Sequence, residues 1–176
     1  MKFTWLFVIV IVAAVRHSIA SVRLTNLRCE EYHPEFATFL KCRLKVIRRG
    51  VISLNVNVKL FQVPVNNVTA NLSMFKKLSG YRPFLNNVTF DFCKFMLNRK
   101  HVPVANIFFN VFASDSNINH TCPYDHNIIV DNFVVYENHF KYFPLPRGDY
   151  MFQLKFAAYN DWKASVQAYV EVTHDF

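Results

Sequence analysis

The sequence predicts a mainly β protein: an antiparallel β-sandwich or cup with one or two short helices and two disulfides. Apolar and polar residues alternate with period two in several segments, which is typical of strands with one dry face. Glycine or polar turn residues separate these segments, and the chain carries four cysteines. Short strands joined by such turns pack as a sandwich or close into a cup.

The clearest alternation runs over residues 52–60, where the even positions are apolar and the odd positions are Ser, Asn or Lys. Residues 40–46 alternate in the same way, with Leu40, Cys42, Leu44 and Val46 as the apolar set. Residues 48–50 (Arg-Arg-Gly) lie between the two segments. We therefore predict a hairpin with its turn at these residues.

Further strands are predicted from the same alternation. In residues 68–74 the even positions form an inward row, which turns Asn67 and Asn71 outward. Residues 88–92 have an inward row opposite Asn87. Residues 152–156 and 164–172 predict a last hairpin around a turn at 160–163. In total, six to eight short antiparallel strands are expected.

Two segments have apolar residues at helical spacing instead, residues 91–98 and 103–113. The second opens with Pro103, which is favourable at the first position of a helix. Val104, Phe108, Val111 and Phe112 would form one apolar stripe. The stripe either covers an open edge or face of the sheet, or forms a movable lid over a ligand cavity.

The first twenty residues predict a secretory signal peptide rather than part of the fold. Lys2 gives a positive start, residues 3–15 are uncharged and mostly apolar, and residues 18–20 (Ser-Ile-Ala) resemble a cleavage site. The apolar run is shorter than the roughly 20 residues of a membrane span, although a membrane anchor is the alternative. We expect cleavage after Ala20 and one secreted, extracellular β-rich domain over residues 21–176.

The cysteine count supports secretion, because an even number in a secreted chain favours disulfides. Three pairings are possible, and we favour Cys29 with Cys42 and Cys93 with Cys122. Four N-x-[ST] sequons also fit an extracellular glycoprotein. They predict N-glycosylation at Asn67, Asn71, Asn87 and Asn119.

Several classes of active site are disfavoured. The only glycines, Gly50, Gly80 and Gly148, lie too far apart to form a phosphate-binding loop. There is no G-x-S-x-G motif, and nothing brings a dispersed catalytic triad together. We therefore expect neither an enzyme nor a cofactor.

A metal site is also not expected, although two stretches resemble one. His120, Cys122 and His126 have zinc-ligand character, but a disulfide would remove the thiolate of Cys122. Asp115, Asn117 and Asn119 match the first ligand positions of a calcium loop. His120 then stands where such a loop needs glycine, and His126 where it needs glutamate, so this stretch is interpreted as a turn.

The chain is basic, with a formal net charge of +8, which becomes +8 − 2 = +6 once Lys2 and Arg16 are removed with the signal peptide. Such a balance could suit anionic lipid head groups or sulfated glycans, or simply reflect a solvated strand face. Secretion argues against nucleic acid as a partner. The basic residues gather at Lys41, Arg43, Lys45, Arg48, Arg49, Lys76, Lys77 and Arg82.

The chain has 19 phenylalanines. They either fill a solid core or line a hydrophobic pocket between two sheets. Taking the inward positions of the strands and helices, we predict as pocket residues Leu54, Val56, Met74, Phe90, Phe95, Phe108, Phe112, Phe133, Phe152, Leu154 and Phe156.

Three stretches together resemble an insect family of secreted proteins known only as domain-of-unknown-function family 1091. They are FLNNVTFDFCKF (84–95), SNINHTCPY (116–124) and PLPRGDY (144–150). The resemblance implies a signal peptide, a disulfide-bonded β-rich domain and no known catalytic activity. The related CheB-type proteins are linked to chemosensation. These proteins look like distant relatives of the MD-2-related and ganglioside-activator lipid-recognition proteins, whose β-cup holds a lipid.

The function expected from the sequence is a secreted, non-enzymatic carrier or presenter of a lipid or small hydrophobic ligand, with a chemosensory role implied by the resemblance. Burial of apolar ligand surface, at about 25 cal/mol per Å², would drive binding. The alternative is an extracellular protein–protein interaction module with a solid core, acting as a receptor accessory or a fluid-borne signalling partner. Neither hypothesis involves a membrane span.

Overall fold

Eight antiparallel strands form two sheets in the computed structural model of the chain, which describes residues 19–140 and 145–175. The five-stranded sheet has the order β1-β8-β7-β4-β5 and the three-stranded sheet β2-β3-β6. The predicted mainly β fold with short helices is confirmed. The elements are β1 (Ile19–Glu31), β2 (Ala37–Arg48), β3 (Val51–Leu60), β4 (Val68–Lys77), β5 (Tyr81–Asp91), α1 (Phe92–Leu97), α2 (Pro103–Phe112), β6 (Ile128–Val134), β7 (Gly148–Ala158) and β8 (Asp161–Asp175).

Residues 1–18 of the predicted signal peptide lie outside the described residues. Ile19 and Ala20, which the prediction assigns to the end of that peptide, pair with Asp175 and His174 at the start of β1. Within the described ranges, no helix is long and apolar enough to span a bilayer.

Both favoured disulfides are present. Cys29 joins Cys42, with 6.3 Å between their Cα atoms, and so connects β1 of the large sheet to β2 of the small sheet. Cys93 joins Cys122, with 5.4 Å between their Cα atoms, and anchors α1 to the loop before β6. Thus one bridge holds the two sheets together at one edge, and the other fixes the helical segment.

A β-bulge changes the predicted inward row of β2. The pairing register with β3 shifts between Phe39 and Lys41, and because side chains alternate with period two, one extra residue reverses the faces. Phe39 therefore packs on the core, whereas Leu40 is 56% exposed. Val46 is 69% exposed next to a second register shift, so the prediction was wrong for Leu40 and Val46.

Two element boundaries also differ from the predicted ones. The last hairpin turns at Tyr159 and Asn160, with φ of 54° and 63°, so β8 begins at Asp161 instead of after the predicted turn. At the end of β5, Asp91 is the N-cap of α1 and accepts a hydrogen bond from the backbone N–H of Lys94 at 2.9 Å. Phe92, which falls in both the predicted strand row of residues 88–92 and the predicted helical segment of residues 91–98, is therefore the first residue of the helix.

The four sequon asparagines differ in accessibility. Asn67, Asn87 and Asn119 are exposed, as attachment of a glycan requires. Asn71 points away from the inward row but is only 9% exposed, and its Nδ2 donates to Thr89 Oγ1 at 2.6 Å. The expectation that Asn71 is accessible to a glycan is therefore wrong for this fold, while occupancy of the other three stays a prediction.

Candidate ligand-binding cavity

An apolar cavity of about 290 Å³ lies between the two sheets. Of the residues that the structure describes, 37 line it, and these are apolar except for Lys163 and the phenol of Tyr124. Both polar groups already have partners: the Tyr124 hydroxyl donates to the carbonyl of His120 at 2.6 Å, and Lys163 Nζ binds Asp161 Oδ2 at 2.7 Å. Because a ligand would find few free polar groups inside, the cavity favours an apolar occupant.

The strand walls follow from period-two alternation. Alternate residues of β3, β4, β7 and β8 project inward, while their neighbours turn to the outer faces of the sheets. The two sheets thus present opposed apolar rows with space between them. The inward residues that line the cavity from these four strands are Leu54, Val56, Val58, Leu60, Val68, Ala70, Leu72, Phe152, Leu154, Phe156, Ala164, Val166, Ala168 and Val170.

Helix α2 covers one side of the cavity. Ala105 and Phe109 are its buried residues, at 4% exposure each, and Phe108 packs against Phe152 of β7 with 5.6 Å between ring centroids. Val104 is 40% exposed, so its place in the predicted stripe was wrong. The buried face is centred one residue further along, and Phe108, Val111 and Phe112 line the cavity as part of it.

Aromatic contacts join α1 to α2. Phe95 is 2% exposed, and its ring lies 5.1 Å from that of Phe90 and 5.7 Å from that of Phe109. Both contacts are edge-to-face, the arrangement that aromatic quadrupoles favour. Because the Cys93–Cys122 bridge fixes the same helix, the helical cover is held both by packing and by a covalent bond.

Of the eleven predicted pocket residues, the structure places ten in the cavity wall. The exception is Met74, which is 1% exposed and packs in the core cluster with Tyr150 and Val172. Contact of the ten with a ligand stays a prediction.

Sequence reasoning missed several aromatic wall residues. Phe39 was hidden by the bulge in β2, and Phe109 by the misplaced helical stripe. Phe92 stands at the change from strand to helix. Phe36 lies in a turn and Phe140 at the end of a short 3₁₀ helix, so neither position follows a strand or α-helical period. Phe140 packs against Phe152 with 6.0 Å between ring centroids.

Lys163, the one charged lining residue within ranges 19–140 and 145–175, belongs to an ion-pair network at one end of the cavity. His33 Nε2 lies 3.1 Å from Asp161 Oδ2 and its Nδ1 lies 2.8 Å from Glu35 Oε1. The hydrogen bond from Lys163 is the main reason why the pKa of Asp161 is lowered. Lys163 Nζ also lies 5.1 Å from the ring centroid of Phe36. The lysine charge is thus compensated at this end.

The sequence stretch with metal-ligand character forms a hydrogen-bonded turn. His120 Nε2 and His126 Nε2 lie 2.8 Å apart. Asn117 accepts from the backbone N–H of Ile129 at 2.8 Å and donates to the carbonyl of Asn127 at 2.7 Å. Among the described residues, no group of three or more His, Cys, Asp or Glu side chains is arranged to hold a metal ion.

Tyr124 leads to a prediction about alkaline pH. Burial raises the pKa of Tyr124 from 10.0 to about 12, and the charge of Arg99 opposes this shift. Between those pH values the folded state keeps the phenol proton and the unfolded state loses it. The contribution of the protonated Tyr124 phenol to the free energy of unfolding is therefore full below pH 10. It is lost as the pH rises through the folded-state pKa.

We accordingly expect the unfolding free energy of the wild type to fall more steeply than that of Tyr124→Phe above pH 10. Urea unfolding at several pH values measures both slopes. Equal slopes would contradict a buried, protonated Tyr124.

The cavity overlaps the segment that matches a known family. Residues 70–152 match the model of a family described as "Protein of unknown function (DUF1091)". This segment contains most of β4 and all of β5, both helices and β6, which together supply much of the cavity wall. No curated protein matches the chain. Over residues 70–152 the chain is thus similar to this family, whose function is unknown.

Proposed function

We propose that the protein is a secreted, non-enzymatic binding protein that carries or presents a small hydrophobic ligand between its two sheets. The observation that carries the proposal is the apolar cavity of about 290 Å³ with its two polar lining groups already partnered. This volume lies at the lower limit of ligand pockets, which span roughly 300–1,000 Å³, so it suits a small compound or a single lipid chain.

Two further features support the proposal. The disulfides are compatible with an oxidising, extracellular environment. The three sequence stretches resemble family 1091, and the chemosensory branch and remote lipid-recognition relatives that this resemblance implies suggest a lipid as the occupant and a chemosensory setting for it. A receptor that recognises the loaded protein would be the corresponding extracellular partner.

A matched pair of helix variants tests the proposal. Val111 lines the cavity from α2, and Val104 lies on the same helix but is 40% exposed. Val111→Trp places an indole in the cavity, so we expect uptake of the neutral apolar dye N-phenyl-1-naphthylamine to weaken on the order of tenfold, equivalent to about 1.4 kcal/mol. Val104→Trp adds the same group outside the cavity and should leave uptake unchanged.

Fluorescence titration of the dye measures both affinities, and thermal melting verifies that both variants fold. If the wild type takes up no dye, or if both variants bind it as the wild type does, the carrier proposal fails. The extracellular protein–protein interaction module would then be the better account.

A further inference from the structure

Two hairpin turns lie at the same end of the sandwich. In the large sheet, Lys76 of β4 pairs with Tyr150, and the neighbouring Gly148 pairs with Val172 of β8. Val172 in turn pairs with Val22 near the start of β1. A polar cleft of about 370 Å³ is lined by Val22 together with Gly50 and Val51 of the β2–β3 hairpin. The β4–β5 turn and the β2–β3 turn therefore lie at the same end of the sandwich, with the β2–β3 turn beside β1 and the β4–β5 turn at the opposite edge of the large sheet.

We call this surface the hairpin end and define it as residues 45–50 and 77–82. It exposes aliphatic side chains: Val46 is 69%, Ile47 49% and Leu78 68% exposed. The exposure has a structural cause, because the register of β2 shifts between Val46 and Arg48, where the strand projects beyond the core. Isolated exposed aliphatic residues are ordinary, but here three belong to two hairpins that turn at the same end of the sandwich.

Basic residues surround these aliphatic side chains. Lys45, Arg48, Arg49 and Arg82 are exposed, and in the described part of the chain none of the four forms an ion pair. Lys77 does, with Asp149 at 3.5 Å. The hairpin end thus combines uncompensated positive charge with exposed aliphatic groups.

The opposite end of the sandwich carries charges of both signs, including Lys59, whose Nζ lies 5.0 Å from the ring centroid of Phe61. Glu35 and Asp161 lie there around His33 and Lys163. Phe61 and Val63 are exposed at that end, at 48% and 46%. The two ends are therefore similar in exposed apolar groups and different in charge. This difference provides a control for the contribution of charge.

We propose that the hairpin end docks the protein on an anionic lipid surface. Positive side chains attract anionic head groups over about a Debye length, and aliphatic side chains on the turns enter the boundary between head groups and acyl chains. Lipid is favoured over a sulfated glycan because a glycan chain would use the cations but gain nothing from Val46, Ile47 and Leu78. The docking depends on surface residues, so it goes beyond the proposed cavity function and does not rest on it.

Vesicle co-sedimentation tests the docking. We expect the purified protein to bind phosphatidylcholine vesicles that contain phosphatidylserine, to bind pure phosphatidylcholine on the order of tenfold more weakly, and to lose binding in high salt. The triple variant Val46→Ser, Ile47→Ser, Leu78→Ser should weaken binding on the order of tenfold. The control, Phe61→Ser with Val63→Ser, removes exposed apolar groups at the opposite end of the sandwich and should bind the vesicles as the wild type does.

Heparin affinity separates the two anionic partners. The triple variant keeps all its cations, so its elution from heparin should match the wild type while its vesicle binding falls. Vesicle binding that the triple variant retains in full would overturn the proposal, as would equal losses in the triple variant and its control. If the triple variant does not fold by circular dichroism, Arg48→Ser with Arg49→Ser replaces it: a loss of phosphatidylserine dependence supports docking at this end, and unchanged dependence overturns it.

Discussion

Replacing Phe95 with alanine is expected to lower the free energy of unfolding by about 3–5 kcal/mol. The side chain is 2% exposed and contacts the rings of Phe90 and Phe109. Its removal takes away apolar burial and two edge-to-face contacts, one between α1 and β5 and one between α1 and α2. Urea unfolding followed by circular dichroism measures the difference.

Leu97 provides the matched control, since it lies on the same helix and is 74% exposed. Leu97→Ala should change the free energy of unfolding by no more than about 0.5 kcal/mol. A loss in Phe95→Ala as small as that in the control would mean that α1 does not pack against the sandwich as described.

The second large effect is expected from removing the bridge between the sheets. The double variant Cys29→Ala, Cys42→Ala should lose about 2–5 kcal/mol of unfolding free energy. This disulfide connects β1 to β2, which are edge strands of different sheets. Its loss removes the covalent constraint at the edge where the sheets meet. Urea unfolding under non-reducing conditions measures the change.

A non-reducing peptide map of the same variant serves as its control, because the Cys93–Cys122 bridge should remain intact. An unchanged free energy of unfolding with that bridge in place would contradict the stabilising role of the inter-sheet disulfide.

Strands and their inward faces were predictable from the sequence where one face of the strand is apolar and the other is polar. In β3 the even positions are apolar without interruption, so both the strand and its inward face were predicted correctly. In β2 the same logic failed at Leu40, since a bulge adds one residue without any sequence signal as clear as glycine. In β6, Asn132 adopts a φ of 55°, and the register with β3 shifts, which obscures the alternation.

The wall of the candidate site was predictable to a similar degree. Phe152, Leu154 and Phe156 follow from alternation alone, and each lines the cavity. Phe36 and Phe140 lie outside regular strands, so only tertiary packing brings them to the wall. Met74 has the same inward position as its neighbours, but lies where the sheets pack closely around Tyr150.

The sequence alone could not predict whether the space between the sheets is hollow, and the reason is physical. A filled core and a lined cavity require the same apolar residues at the same inward positions. They differ only in the separation of the sheets, which depends on the bridge at one edge and the helices at another side. The volume of about 290 Å³ is therefore a property of the fold rather than of the pattern.

The most direct test of the carrier proposal is native mass spectrometry of the deglycosylated, secreted protein before and after incubation with a mixed lipid extract. We predict an added mass of a few hundred daltons, roughly the size of a ligand that fits such a pocket, and its release by solvent extraction. An unchanged protein mass after incubation, with the fold intact, would contradict the carrier function and indicate that the phenylalanines enclose no usable site.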